Sequence, residues 1–250
     1  MVARATNALK GRTYQTMNSK RDDNPSEPRA TGTARDFMPG PKAGLPTLAS
    51  AAQRCEGCGL YAFATQAVFG EGPRNASLML VGEQPGDRED VAGHPFVGPA
   101  GQLLDRALAE AGIDRATVYL TNIVKHFKWK HPASGERPSG KRRLHDKPNA
   151  YEVSACKPWL EAEIARVKPR IVVCLGATAA QGLLGDTFRV TRQRGELFES
   201  ALGPTITGTI HPSAVLRAAD AAAREREFAG LVHDLKVVAK RLADDARITN

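Results

Sequence analysis

Four short, predominantly apolar runs recur along the chain, each followed by glycine or polar residues. They cover residues 78–81, 118–122, 171–175 and 205–210. Each has the length of a β-strand, and none alternates strictly between polar and apolar residues. This pattern is typical of strands that are buried on both faces of a sheet.

Segments with helical spacing of apolar residues separate these runs. In the first, Pro99 precedes apolar residues spaced every three or four positions up to Ala111, and Gly112 marks the stop. Three further segments share this spacing: residues 159–167, 177–184 and 228–242. The alternation predicts an α/β fold: a three-layer α/β/α sandwich around a mostly parallel, four-stranded central sheet.

Residues 1–46 show no sustained period, and they are polar and mixed in charge. We predict a disordered basic and polar tail there, and a single domain over residues 47–250. No apolar run reaches membrane-spanning length, and the N-terminus has no secretory pattern, so we expect an intracellular protein.

Polar side chains follow three of the predicted strands. Glu83 and Gln84 come after the first, Asn122 ends the second, and His211 follows the fourth. Because ligands bind beyond the carboxyl ends of parallel strands, we expect these residues to meet in one crevice. The alternative for each taken singly is a turn residue that caps the backbone.

The charge of the chain is concentrated in one stretch. The net charge is +8, and eight Lys or Arg residues lie between Lys125 and Lys147 against two acidic ones. Such a cluster suits a polyphosphate backbone, and the interleaved Phe127 and Trp129 could stack on unpaired bases. His145 lies within this basic insert, at about residues 128–149, where neighbouring cations favour a neutral imidazole that can act as nucleophile or base. The alternative is an ordinary solvated loop.

The four cysteines form a close pair, Cys55 and Cys58, and a distant pair, Cys156 and Cys174. In an intracellular protein this count favours a metal site over disulfides, and four thiolates suit either zinc or a [4Fe–4S] cluster. Cys174 falls in a predicted buried strand, so it could instead be a core thiol.

Several ordered motifs resemble those of one known family. They are GEQPG at 82–86, ED at 89–90, GHPFVGPAGQLLD at 93–105, TNIVK at 121–125 and HPS at 211–213. Together with the cysteine spacing, they resemble the iron–sulfur uracil-DNA glycosylases, family 4 of their superfamily. The resemblance covers the chain from about Thr47 to the last helix. It implies a uracil-DNA glycosylase-like fold and a [4Fe–4S] cluster held by the four cysteines.

Two departures from family 4 look like its UdgX subgroup, which attaches covalently to deoxyribose after removing uracil. Gln84 stands where the family usually has Ala, and the insert carries the sequence KRRLH at residues 141–145. By this resemblance His145 is the residue that traps the sugar C1′, and Leu144 replaces the subgroup's Ile. Glu83 would orient His145 or accept its proton.

The resemblance also implies roles for the other polar residues. The amide of Asn122 would pair with uracil O4 and N3–H, and His211 would donate to O2, where the leaving charge accumulates. Phe96 would stack on the base, Glu89 would exclude the thymine methyl group, and Gln84 would line the uracil pocket. The DNA strand would be held by four residues: Lys141, Arg142, Arg143 and Ser213. Taken alone, Phe96 could be a core residue and Glu89 an acid at a helix start.

The resulting hypothesis is a cytoplasmic, bacterial-type, nucleoid-associated monomer. It would excise uracil from DNA, preferably single-stranded, and trap the deoxyribose in a single turnover. One alternative is an ordinary multiple-turnover glycosylase that leaves an abasic site. Another is a non-catalytic DNA-binding module that is stabilised by a structural metal site.

Overall fold

The computed structural model describes residues 32–130 and 143–248. Its centre is a parallel sheet of four five-residue strands: β1 (Leu78–Gly82), β2 (Val118–Asn122), β3 (Ile171–Leu175) and β4 (Thr205–Thr209). The strand order is β2-β1-β3-β4, and every pairing is parallel. The four strands lie within one residue of the predicted runs.

Helices flank the sheet. They are α1 (Leu45–Ala52), α2 (Asp87–Ala92), α3 (Pro99–Glu110), α4 (Ala150–Val167), α5 (Ala177–Leu184), α6 (Val190–Gln193), α7 (Pro212–Leu216) and α8 (Ala221–Ile248). Short 3₁₀ helices lie at Ala34–Phe37, Gly59–Ala62 and Arg115–Thr117. In the ranges 32–130 and 143–248, no helix has the length and apolarity that crossing a membrane requires.

Two apolar layers cover the two faces of the sheet. Met79 and Val81 of β1 point into one layer, with buried residues of α1, α4 and α5. Leu78 and Leu80 point into the other, with buried residues of α3 and α8. The strands are apolar on both faces because both faces are covered, which confirms the predicted α/β/α sandwich.

Helix α4 begins at Ala150, well before the predicted start near residue 159. Asn149 and Glu152 form a reciprocal capping box, which satisfies the first backbone N–H groups of the helix. Pro158 lies inside the helix, although proline usually ends or kinks one. A start was predicted after Pro158 because the N-cap residue, Asn149, lies ten residues upstream of the apolar pattern that begins at residue 159.

The folded domain also begins before the predicted boundary at residue 47. Residues 1–31 lie outside the described residues, but Ala34 is fully buried in the core. Arg166 of α4 donates hydrogen bonds to the carbonyls of Pro41 and Ala43. Residues 33–46 therefore pack along α4, because backbone hydrogen bonds and a few small apolar side chains compensate for their weak sequence pattern.

Candidate active site

The predicted crevice lies at the carboxyl ends of the strands. Gly82, the last residue of β1, pairs with Asn122, the last residue of β2. A Cβ atom on Gly82 would collide with Asn122 Oδ1 and lie 2.8 Å from Phe96 Cζ. On the other side, a Cβ on Gly176 would lie 3.1 Å from the Cβ of His211. Small residues at the strand ends thus allow the polar side chains to approach one another.

Phe96 has a left-handed backbone conformation, with φ of +57°. This region is costly for a bulky residue and is tolerated where surrounding contacts enforce it. Gly101 in the first turn of α3 provides such a contact, since a Cβ there would overlap the carbonyl of Phe96. The ring is 7% exposed and lies close to Asn122 over Gly82.

Glu83 and His145 meet although they are far apart in sequence. His145 Nε2 lies 3.1 Å from Glu83 Oε1, and Thr178 of α5 donates a hydrogen bond to the other carboxylate oxygen. Burial raises the pKa of Glu83, but the hydrogen bonds from His145 and Thr178 lower it more, so the net pKa lies below its ordinary value. The carboxylate is therefore ionised and fixed beside a half-exposed imidazole.

Residues 144–146, here called the capture segment, are held against residues 128–130 by a short antiparallel ladder. The backbone N–H of Lys130 donates to the Leu144 carbonyl at 2.8 Å, and that of Asp146 donates to the Lys128 carbonyl at 3.0 Å. The ring of Phe127 lies 6.3 Å from that of His145. The ladder places His145 at the mouth of the crevice.

Gln84 joins both strands of this ladder. Its Nε2 donates to the carbonyls of Lys128 and Asp146, both at 3.0 Å, and its Oε1 accepts from the Lys128 N–H at 3.1 Å. The side chain is 7% exposed. Its amide is thus directed at the capture segment, whereas the sequence predicted that it lines the uracil pocket.

Arg143 was predicted to contact DNA, but the structure buries it. Its Nε lies 2.6 Å from Asp87 Oδ1 and its Nη1 lies 2.8 Å from Asp90 Oδ2. The guanidinium also lies over the rings of Phe127 and Trp129. Because two carboxylates of α2 neutralise it, Arg143 anchors the capture segment instead of presenting a free charge. Lys141 and Arg142 lie outside the described residues.

His211 occupies the N-cap position of α7. Its Nδ1 accepts a hydrogen bond from the Ser213 backbone N–H at 3.1 Å and lies 2.7 Å from Ser213 Oγ. Burial lowers the pKa of His211 to about 4. The ring is therefore neutral, and its proton lies on Nε2 as a hydrogen-bond donor. Ser213, predicted to contact DNA, here sets this tautomer.

Glu89 is 8% exposed, and its Oε1 accepts a hydrogen bond from the backbone N–H of Gly98 at 2.9 Å. A Cβ on Gly86 would lie 2.6 Å from its other carboxylate oxygen. Glu89 thus ties α2 to the loop that carries Phe96. Its role in excluding the thymine methyl group stays a prediction.

All four cysteines are buried, and they belong to the same apolar cluster of the core. Burial raises the pKa of Cys156, and the nearby Cys58 and Cys55 raise it further. Burial alone raises the pKa of Cys174, which lies in the interior of β3 between Val81 and Gly208. No group of three or more His, Cys, Asp or Glu side chains within residues 32–130 and 143–248 is arranged as a metal site.

The residues that sequence reasoning missed are those that hold the predicted ones in place. Thr178 orients Glu83, Asp87 and Asp90 hold Arg143, and the buried Lys125 donates its backbone N–H to Cys156 Sγ at 3.2 Å. The role of the two aspartates could have been predicted, because both lie in the first turn of α2 and acidic residues there can form ion pairs with the cations of a basic insert.

Comparison with known proteins identifies a family to which the chain is similar. The model of the uracil DNA glycosylase superfamily matches residues 69–236. A type-4 uracil-DNA glycosylase of Pyrobaculum aerophilum is 38% identical over 172 residues, which cover 66% of this chain and 81% of that protein. The type-4 enzyme of Thermotoga maritima is 37% identical over 166 residues, covering 66% and 79%. A type-5 uracil-DNA glycosylase of Pyrobaculum aerophilum is 30% identical over 162 residues, covering 57% and 63%.

Proposed function

Because the chain belongs to the uracil-DNA glycosylase superfamily, we propose that it excises uracil from DNA and captures the deoxyribose through His145. One observation carries this proposal: His145 Nε2 lies 3.1 Å from the ionised Glu83. The pair lies at the end of the sheet that Asn122 and His211 share. An ordinary glycosylase needs a water molecule at this place, whereas here an imidazole is available.

Recognition and bond cleavage follow from the groups at the strand ends. Asn122 offers a donor and an acceptor side by side, which match N3–H and O4 of uracil and oppose the pattern of cytosine. As the C1′–N1 bond breaks, both bonding electrons leave with the uracil ring. The Nε2–H of neutral His211 then donates to O2, and a donor of this kind commonly contributes about 3 kcal/mol to lowering the barrier.

Capture needs one proton transfer. In the resting protein Nε2 of His145 faces a carboxylate, so Glu83 is placed to accept its proton. The lone pair of an unprotonated ring nitrogen forms a bond to the electron-deficient C1′, and the imidazolium that results passes its N–H proton to Glu83. The effective molarity of a fixed imidazole favours this reaction over attack by water. An N-linked imidazole is a poor leaving group, so the product persists and each molecule reacts once.

The test uses a labelled single-stranded oligonucleotide with one deoxyuridine, incubated with wild type or His145→Ser and run on a denaturing gel. We expect a shifted band for wild type that depends on uracil and is absent for the variant. An alkali-cleavable strand without a shifted band would identify a multiple-turnover glycosylase. An untouched strand would favour the DNA-binding module. Repeating the assay on duplex DNA tests the preference for single strands.

The cofactor we propose is an iron–sulfur cluster, supported by the chemistry of the donors. Three buried cysteines lie together near α4, and thiolates are the ligands that such clusters prefer. The fourth cysteine, Cys174, is buried in the same apolar cluster, so the proposed ligands are the four predicted cysteines. When bound, the cluster would cross-link the 55–58 loop, α4 and β3.

Iron content and the absorbance near ~400 nm test this assignment. Cys156→Ala should lose both. Cys174→Ala should also lose both, and a variant that keeps iron and colour would rule out Cys174 as a ligand. A colourless wild-type protein containing zinc would refute the cluster.

A further inference from the structure

Beneath the crevice lies an ion pair that neither excision nor capture uses. Lys125 Nζ lies 2.6 Å from Glu163 Oε2, and the two side chains are 1% and 0% exposed. Such a pair seldom stabilises a fold more than well-packed apolar residues would, because removing two charges from water is costly. The Lys125–Glu163 pair lies against Asn122, and this position calls for another explanation.

The ammonium group of Lys125 contacts the backbone of the recognition residue. It donates to the carbonyl of Asn122 at 2.6 Å and to Thr121 Oγ1 at 2.7 Å. At this point β2 ends, and the backbone N–H groups of Ile123 and Val124 donate to the carbonyls of Gly82 and Glu83 at 2.9 and 3.1 Å. The carbonyl of Asn122 thus receives a charged donor at the position where the amide side chain must face uracil.

Glu163 fixes the ammonium group in turn. Its Oε1 accepts from Gly70 N at 2.9 Å and from Tyr119 OH at 3.1 Å, and Thr121 Oγ1 lies 3.0 Å from both of its oxygens. Together with Lys125, these donors hold the Glu163 carboxylate in a single position. Glu163 lies two helical turns beyond Cys156 on α4, and Cys156 accepts the backbone N–H of Lys125. Helix α4 therefore holds Lys125 at both its backbone and its side chain.

We propose that the Lys125–Glu163 pair positions Asn122 for uracil recognition. The inference rests on the proposed glycosylase function and deepens it. The last peptide of β2 is held at its N–H by the carbonyl of Gly82 and at its carbonyl by Lys125. The pair thus supplies the second of the two contacts that orient this peptide, and with it the amide that pairs with the base. Lys125 and Glu163 are positioning residues, since the contacts of both lie within the protein.

The test compares wild type with Lys125→Met/Glu163→Gln, which removes both charges together and leaves neither buried alone. The matched control is Tyr119→Phe, which removes one hydrogen bond to Glu163 but keeps the contact of Lys125 with Asn122. Three quantities are measured: the single-turnover rate of uracil release, the affinity for the same oligonucleotide with thymine in place of uracil, and the melting temperature.

We expect the double variant to release uracil about 100-fold more slowly, the effect of a displacement of roughly 1 Å at a reacting group. Its affinity for the thymine oligonucleotide should stay that of wild type, because the DNA-binding surface is unchanged. The control should melt at a lower temperature and release uracil at the wild-type rate. Wild-type rates in a folded double variant, or equal slowing in the control, would overturn the inference.

If the double variant does not fold, the rate of uracil release by the single variant Glu163→Gln tests the inference. It keeps the shape of the side chain and weakens its hold on the ammonium group, so it should slow uracil release more than Tyr119→Phe does. Equal rates for these two variants would overturn the inference. A wild-type protein that releases no uracil would instead refute the proposed function, so the two failures are distinguishable.

Discussion

Replacing Gln84 with Ala should separate capture from excision. The substitution removes three hydrogen bonds, at 3.0, 3.0 and 3.1 Å, that join the side chain to the backbone of Lys128 and Asp146. At about 1 kcal/mol of net stabilisation for each, the ladder between residues 128–130 and 144–146 loses about 3 kcal/mol. Since 1.4 kcal/mol corresponds to about tenfold, the ratio of molecules with His145 in place to molecules with His145 displaced falls about 100-fold.

Uracil release should change by much less, because Asn122 and His211 are held by β2 and by α7. The assay follows one deoxyuridine oligonucleotide over time and measures the ratio of covalent adduct to alkali-cleavable strand. Gln53→Ala is the matched control, since its amide likewise binds the backbone, through the N–H and C=O of Ala67. An unchanged ratio in Gln84→Ala, or an equal decrease in Gln53→Ala, would refute this reasoning.

Further predictions concern the anchor of the capture segment and pH. Arg143→Gln leaves the fully buried Asp90 without its cation and should lower the free energy of unfolding by about 3–5 kcal/mol, measured by denaturant titration. Arg115→Gln, in an exposed pair, should change it by less than about 1 kcal/mol. The lowered pKa of Glu83 means that its ionised form, which holds His145 and Thr178, is fully present above its ordinary pKa of 4.5 and is lost as pH falls through the lowered value. Adduct formation should therefore persist down to the ordinary carboxylate range and fall below it. His211, with a pKa of about 4, should contribute no titration to uracil release by His145→Ser between about pH 5 and 8.

The fold and the location of the crevice were predictable because they depend on local patterns. Each strand is a short apolar run, and the polar residues that follow three of them, Glu83, Asn122 and His211, necessarily meet at one edge of a parallel sheet. The pairing of His145 with Glu83 followed from a resemblance to a family. The spacing alone left His145 open as an ordinary loop residue.

What the sequence did not reveal are partners that are distant along the chain. Gln84 contacts backbone 44 and 62 residues away, and backbone groups leave no signature in a sequence. Arg143 was assigned to DNA because cation runs are usually exposed, yet Asp87 and Asp90 bury it. The role of Cys174 as a metal ligand stays a prediction, because a position inside β3 buries this thiol whether or not it binds a metal.

The ladder between residues 128–130 and 144–146 has a consequence for how this loop can vary. Lys130 and Leu144 are neighbours in space, since they are joined by a hydrogen bond of 2.8 Å. Doubling the length of a flexible connection between two such points adds only about 0.6 kcal/mol of closure entropy. Insertions beyond Lys130 should therefore be tolerated without displacing His145. A change in the length of this loop, or a fluorescent tag inserted there, should therefore leave the reaction of His145 unchanged.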